Sequence, residues 1–162
     1  MRLPIGAYAR KVRASSWSIA KSGTGPCTCF QLRRAARRTS QLYDHALAQV
    51  GLSLNEYSIL RRLVSAQPLG ALAHSLGMDR TTLTRNLKPL LAAGWVQARR
   101  GEDARQKLVV LSRSGRGLLV RALPHWQRAQ TQLETLFGSA STAQLHATLM
   151  QLDVALDAEA AA

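Results

Sequence analysis

The feature that most constrains the fold is a pair of short helical patterns joined by a single glycine, between residues 69 and 92. The first pattern ends at Gly77, a residue type that commonly terminates helices. Asp79, a good N-cap, opens the second pattern, RTTLTRNLKPLLAAG. Apolar residues recur at helical spacing in both patterns: Leu69, Leu72, Ala73 and Leu76 in the first, and Leu83, Leu87, Leu90 and Leu91 in the second. This spacing predicts a helix-turn-helix packed through its leucines.

A β-hairpin is predicted directly after the second short helix. The stretches WVQARR at 95–100 and KLVVLS at 107–112 have strand patterns, bounded by Gly94 and by a loop that begins at Gly101. A helix-turn-helix followed at once by a hairpin is typical of a winged helix-turn-helix. In that arrangement the second helix enters the DNA major groove and the hairpin, or wing, reaches the neighbouring backbone or minor groove.

Longer helical patterns flank this segment. Residues 27–50 contain neither Gly nor Pro, and Gly51 is expected to end the helix that they form. Ser53 and Glu56 form a capping-box pattern, which predicts a second helix over about residues 54–64.

The region after the hairpin is also helical in pattern. Residues 112–137 predict one helix, and a capping-box pattern at Ser141 and Gln144 predicts the start of a final helix that reaches about residue 156. The fold class predicted is therefore mainly α with a small β-hairpin wing.

The charge of the chain indicates an anionic partner. Twenty-two Lys and Arg against nine Asp and Glu give a formal net charge of +13, which favours nucleic acid or an anionic membrane. No apolar run approaches the roughly 18 residues that a membrane span requires, so we expect a soluble protein without a membrane partner. Residues 1–26, basic and lacking an apolar core, are expected to be a flexible tail or an upstream extension rather than a secretory signal. With Cys27 and Cys29 as its only cysteines, the chain fits a reducing, cytoplasmic setting.

The second short helix carries a polar side suited to DNA. Arg can bond a guanine edge with two hydrogen bonds, and Thr can bond bases or phosphates and contact a thymine methyl. The simpler alternative is a solvated polar face, which the adjoining hairpin and the local charge make less attractive. The residues opposite the leucines are Arg80, Thr81, Thr84, Arg85 and Lys88, with Thr82 at the border. Pro89 predicts a kink after Arg85, which would affect the position of Lys88.

Two motifs resemble the MarR-type transcriptional regulators. LAHSLGMDRTTLTRNLKPLLAAGWV at 72–96 is similar to the helix-turn-helix run of that family, and DARQKLVVLSRSG at 103–115 is similar to its wing signature. The resemblance covers about residues 27–156. It implies a homodimer with interleaved terminal helices and two winged domains on a palindromic operator. The implied organisation is a basic tail at 1–26, a single MarR-like domain at 27–156 with dimerisation helices at 27–51 and 113–156 and a DNA-binding winged helix at 52–112, and a C-terminal tail at 157–162.

The wing sequence RRGEDARQK, residues 99–107, holds two acids within a basic patch. The resemblance implies that Arg105 enters the minor groove and that Asp103 orients it through an ion pair, which would reduce the cost of ordering a flexible side chain. Glu102 has no such role and is expected to be a solvated loop residue. We expect Arg99, Arg100 and Lys107 to contact phosphates without regard to base sequence.

Two kinds of signal are expected to release DNA. The resemblance implies a cleft for a small phenolic or anionic effector, which His45, Tyr57, His125 and Trp126 are candidates to line; packing in the core is the alternative. Cys29, followed by Phe30 and by Tyr43 further on, resembles the hydroperoxide-sensing branch, and a helix N-terminus would favour its thiolate. Arg33 stands where that branch has a second tyrosine, so an inert thiol is the alternative. A Cys-x-Cys metal site lacks further nearby ligands.

Enzymatic motifs are absent from the sequence. There is no P-loop, dinucleotide fingerprint, His-Glu-x-x-His or nucleophile elbow, so neither an enzyme nor a cofactor is predicted. The function predicted is a homodimeric DNA-binding regulator, acting as a repressor on a palindromic operator and released by a small ligand or an oxidant. The alternative is a winged-helix module that binds protein or RNA and responds to no effector.

Overall fold

The structure, a computed structural model, describes residues 26–101 and 107–160. The chain divides into a unit of residues 1–34, described only from residue 26, and a unit of residues 35–162. The described helices are α1 (Thr28–Leu47), which crosses that boundary and continues into a 3₁₀ turn (Ala48–Val50), α2 (Leu54–Arg62), α3 (Leu69–Ser75), α4 (Arg80–Ala92), α5 (Arg113–Phe137) and α6 (Ser139–Ala160). The strands are β1 (Gln67–Pro68), β2 (Val96–Arg100) and β3 (Lys107–Leu111).

Local capping explains where the short helices begin. The Ser53 hydroxyl accepts from the Glu56 amide at 3.2 Å while the Glu56 carboxylate accepts from the Ser53 amide at 2.8 Å, so the predicted capping box is formed. Asp44 of α1 adds a further acceptor, 2.6 Å from the Leu54 amide, which ties α1 to the start of α2. Asp79 caps α4 as predicted.

The sheet has three antiparallel strands in the order β1-β3-β2. The predicted hairpin is present, with Arg100 opposite Lys107 at its described end. The sequence did not predict β1, which pairs Gln67 with Val109 and Pro68 with Leu108. A two-residue strand has no periodicity to detect, and its pairing partner lies far along the chain.

One hydrophobic core joins the elements of the larger unit. Tyr57, Leu60, Leu72 and Leu90 are almost fully buried, as are Val96 and Leu111 of the hairpin. Most of the apolar pattern that predicted the helix-turn-helix faces this core. Leu91 is the exception: it was expected on the same side, but it lies at the end of its helix and is 41% exposed. The mainly helical fold with a small β wing is confirmed.

The C-terminal helix differs from the prediction at both ends. α6 begins at Ser139, so Ser141 lies inside its first turn instead of capping it. The Gly138 carbonyl accepts from both the Thr142 amide and the Thr142 hydroxyl, each at 2.9 Å, and so serves the start of the helix. α6 then continues to Ala160, because no Gly or Pro interrupts it, and it includes residues expected to belong to a tail. Among the described residues, no helix is long and apolar enough to cross a membrane.

Candidate nucleic-acid interface

The polar side of α4 faces away from the core. Leu83, Leu87 and Leu90 are buried, so the helix is anchored on one side only. The predicted contact residues Arg80, Thr81, Thr84, Arg85 and Lys88 are all exposed, and Thr82 is half-buried, consistent with its position at the border. α4 continues as one helix through Pro89, and the kink predicted after Arg85 stays a prediction.

The three threonines of this helix offer different chemistry. The Thr82 hydroxyl donates to Asp79 at 2.7 Å, and the Thr84 hydroxyl donates to the Arg80 carbonyl at 2.7 Å. The Thr81 hydroxyl makes no hydrogen bond within the described part of the chain. Thr81 can therefore still donate to a partner, whereas Thr84 can offer a methyl group and an acceptor oxygen.

Asp79 is the N-cap of α4, and its negative charge stabilises the start of the helix. Its carboxylate accepts from the side chain and from the amide of Thr82, and these hydrogen bonds lower its pKa below the ordinary value. The carboxylate stays ionised at neutral pH and complements the helix N-terminus.

The described part of the wing adds three exposed cations. Arg99 and Arg100 lie on β2 and Lys107 on β3, at the described end of the hairpin, while Val96 and Val109, nearer its base, contribute to the core. Glu102, Asp103 and Arg105 lie outside the described residues, so their pairing and groove contact stay predictions. The described cations of α4 and the wing fit a polyanionic partner.

A buried serine joins the wing to the neighbouring helices, and sequence reasoning missed it. The Ser112 hydroxyl lies 2.7 Å from the Gly94 carbonyl oxygen and 3.1 Å from that of Trp95, and it accepts from the Gly115 amide at 3.0 Å. Ser114 also donates to the Gly94 carbonyl, at 2.9 Å. The local signal was a serine three residues before the amide that it caps.

The structure brings three aromatic residues together near α5. Trp126 stacks on Tyr57 with ring centroids 6.1 Å apart, and it lies 6.3 Å from Tyr43. Arg61, which no sequence pattern identified, places its guanidinium carbon 4.5 Å from the centroid of the Trp126 ring. Tyr43 donates its hydroxyl proton to Gln130 at 2.5 Å.

Burial governs the ionisation of the two tyrosines. It raises the pKa of Tyr43, and the negative charge of Glu134 adds to that effect. Burial also raises the pKa of Tyr57, against the opposing influence of the Arg61 charge and hydrogen bond. Both phenols are therefore protonated at neutral pH. The two tyrosines are core residues that pack beside Trp126.

The remaining candidates for sensing are placed separately. His45 is exposed on α1, and His125 has its Nδ1 atom 2.9 Å from Nη2 of Arg128. Cys27 and Cys29, at the start of α1, are free and exposed thiols. Within residues 26–101 and 107–160, no group of three or more His, Cys, Asp or Glu side chains could hold a metal ion.

Comparison with known proteins supports the regulatory interpretation of this fold. No protein-family model matches the chain. The uncharacterized HTH-type transcriptional regulator YwoH of Bacillus subtilis is 35% identical over 85 residues, and the match covers 51% of this chain and 62% of that regulator. The chain thus spans less than two thirds of the length of YwoH.

Solved structures match over more of the chain. The transcriptional regulator MosR of M. tuberculosis, in complex with DNA, is 35% identical with a TM-score of 0.75, and the match covers 82% of this chain and 98% of MosR. A MarR variant from E. coli, complexed with operator DNA, shares the fold at a TM-score of 0.70 and 20% identity, over 76% of this chain and 91% of that one. The resemblance carried by the two motifs is confirmed. The chain belongs to the MarR family of winged helix-turn-helix, DNA-binding transcriptional regulators.

Proposed function

We propose that the protein is a homodimeric repressor that binds a palindromic DNA operator and releases it in response to a small ligand or an oxidant. The observation that carries the proposal is the exposed polar face of α4 next to three exposed wing cations, in a fold shared with the DNA-bound MosR. A repressor acts by occupying its operator, so DNA binding alone is sufficient for repression.

Two kinds of contact divide the DNA-binding work. Arg85 and Thr81, on the outer face of α4, are proposed to contact base edges in the major groove. Arg99, Arg100 and Lys107 are proposed to contact phosphates, so that binding weakens steeply with salt. Arg105 is proposed to enter the minor groove with Asp103 as its orienting partner.

Dimerisation is supported by the surface of α6. Thr142 is its only buried residue over 139–159, although this helix carries many large apolar side chains. Such a surface is unusual for a monomer and indicates a protein partner, which we propose to be a second copy. Exposed apolar residues of α6 are Leu145, Leu149, Met150, Val154 and Leu156. Two copies would present two α4 helices to half-sites about one helical turn, roughly 34 Å, apart.

Light scattering tests the dimer directly. We expect a mass of twice 17.7 kDa for the wild-type protein. A Leu149→Glu, Val154→Glu double variant should be monomeric, whereas Val64→Glu, which charges another exposed apolar position, should stay dimeric. A monomeric wild-type protein at micromolar concentration would exclude this assembly.

Selection of duplexes from a randomised pool tests the DNA-binding proposal. We expect an enriched inverted repeat bound by two chains per duplex. Arg85→Ala and Arg105→Ala should each weaken binding, by about 1–3 kcal/mol for a lost bidentate base contact at Arg85. Arg121→Ala, which removes an exposed arginine of α5, is the matched control and should bind normally. Preferential binding of RNA, or of no nucleic acid, would favour the alternative winged-helix module.

The role of Asp103 has a distinctive outcome. Asp103→Ala raises the net positive charge, yet it should weaken binding because Arg105 loses its orienting partner. Glu102→Ala removes the same charge from the neighbouring position and is the control. Tighter binding by both variants would show that the acids act by charge repulsion alone.

The release signal is proposed to act through two separate places. An anionic phenol can stack on the half-buried Trp126 and pair with Arg61, which is exposed beside it. A hydroperoxide can instead react with Cys29, an exposed cysteine in the first turn of α1: the sulfur attacks the O–O bond, which yields a sulfenic acid and releases the alcohol.

Release of a labelled duplex distinguishes the two signals. Hydroxybenzoates should release DNA from the wild-type protein and not from Arg61→Ala. An organic hydroperoxide should release DNA from Cys27→Ser and not from Cys29→Ser. If neither class of compound releases the wild-type protein, the proposed response is wrong while operator binding is unaffected.

A further inference from the structure

The guanidinium of Arg80 lies across a glycine of the preceding helix. A β-carbon added to Gly70, in the first turn of α3, would be 3.0 Å from Nη2 of Arg80, 3.5 Å from Nε and 3.6 Å from Cζ. Three atoms of the guanidinium group would thus contact a β-carbon at position 70. The guanidinium lies against the space that a side chain at position 70 would fill.

The backbone itself does not require glycine at this position. Gly70 is helical and is not among the residues with positive φ, unlike Gly51, Gly77 and Gly94. Alanine is the better helix former at such a site, because glycine loses more conformational freedom on folding. The atoms closest to Gly70 belong to the side chain of Arg80 and not to a backbone. The lack of a side chain at position 70 therefore affects where the Arg80 side chain can lie.

Arg80 has no other restraint within residues 26–101 and 107–160. Its side chain is exposed, and no carboxylate among those residues forms an ion pair with it. An arginine held by packing alone is easily displaced, and a methyl group is sufficient to displace it.

We propose that Gly70 is a positioning residue for Arg80: by lacking a side chain it lets the guanidinium lie against α3 in the orientation that meets DNA. The inference rests on the proposed DNA contact by α4. An arginine ordered before binding loses less conformational freedom in the complex. A methyl group at position 70 would push the guanidinium outward by a few tenths of an ångström or into another rotamer.

Gly70→Ala separates positioning from folding. The variant should melt at or above the wild-type temperature, because alanine favours the helix and the crowded neighbour is a flexible side-chain end. It should nevertheless bind a fluorescein-labelled duplex, selected by the wild-type protein from a randomised pool, about three- to tenfold more weakly.

Gly117→Ala is the matched control. Gly117 is a helical glycine of α5 whose added β-carbon would lie 3.8 Å from Nη1 of Arg121, which is an ordinary contact distance. This variant should bind the same duplex with unchanged affinity.

The decisive measurement is the coupling between positions 70 and 80. Gly70→Ala should weaken binding in the wild-type background and have no effect in Arg80→Ala or Arg80→Lys, because neither replacement has a guanidinium to displace. Equal effects in all three backgrounds, or no effect in any, would overturn the role of Gly70. If Arg80→Ala itself binds normally, Arg80 contributes nothing to DNA binding, and the inference is overturned with it.

Discussion

The attachment of the wing makes the sharpest prediction about stability. The Ser112 side chain is buried, and its hydroxyl is the N-cap of α5, accepting from the Gly115 amide at 3.0 Å. The same hydroxyl lies 2.7 Å from the carbonyl oxygen of Gly94 and 3.1 Å from that of Trp95, at the corner between α4 and β2. Ser112→Ala therefore removes the cap and leaves this corner with one donor fewer.

The magnitude follows from the two hydrogen bonds that are lost. Loss of a serine cap costs about 1 kcal/mol. Loss of a buried hydrogen bond to a carbonyl costs about 1 kcal/mol more. The free energy of unfolding should thus fall by about 2 kcal/mol, which lowers the melting temperature of a chain of this size by roughly 4–8 °C.

Thermal melting by circular dichroism, at equal protein concentrations, checks this value. Ser114→Ala is the matched control, since that exposed serine also donates to the Gly94 carbonyl, at 2.9 Å. It should cost no more than about 0.5 kcal/mol. If Ser112→Ala and Ser114→Ala melt together, the buried position of Ser112 adds nothing and the reasoning is refuted.

Three further predictions concern packing and ionisation. Gly115→Ala should abolish the cooperative melting transition, because the added β-carbon would lie 2.0 Å from the backbone oxygen of Trp95; a normal melting curve would contradict this. Tyr43 and Tyr57 should ionise above pH 10 in the folded protein, which an absorbance titration can show. Because folding raises their pKa, the stability that they contribute below pH 10 should be lost as the pH rises through the folded pKa, and alkaline melting curves can show this loss. Asp79→Ala should lower the melting temperature at neutral pH. Because folding lowers the pKa of this carboxyl, the difference in melting temperature between the variant and the wild type should begin to close below about pH 4. A constant difference in melting temperature at all pH values would exclude the charged cap.

The sequence by itself determined the features that local patterns encode. Helical spacing of leucines and the caps at Ser53 and Asp79 were sufficient for the order of the helices, because both signals lie within a few residues of one another. The alternation of buried and exposed residues on α4 also indicated which side is available for DNA. The same local pattern gave a wrong start for the last helix: Ser141 lies inside the first turn, because α6 begins at Ser139, directly after Gly138.

Tertiary structure alone decided the contacts between distant parts of the chain. The pairing of Gln67 with Val109, the stacking of Tyr57 on Trp126 and the position of Arg80 over Gly70 each join residues from different elements. No periodicity or cap reports such contacts, since they depend on how the elements pack around the core. The sequence could thus identify a DNA-binding helix, whereas only the packed structure could show what holds its first arginine in place.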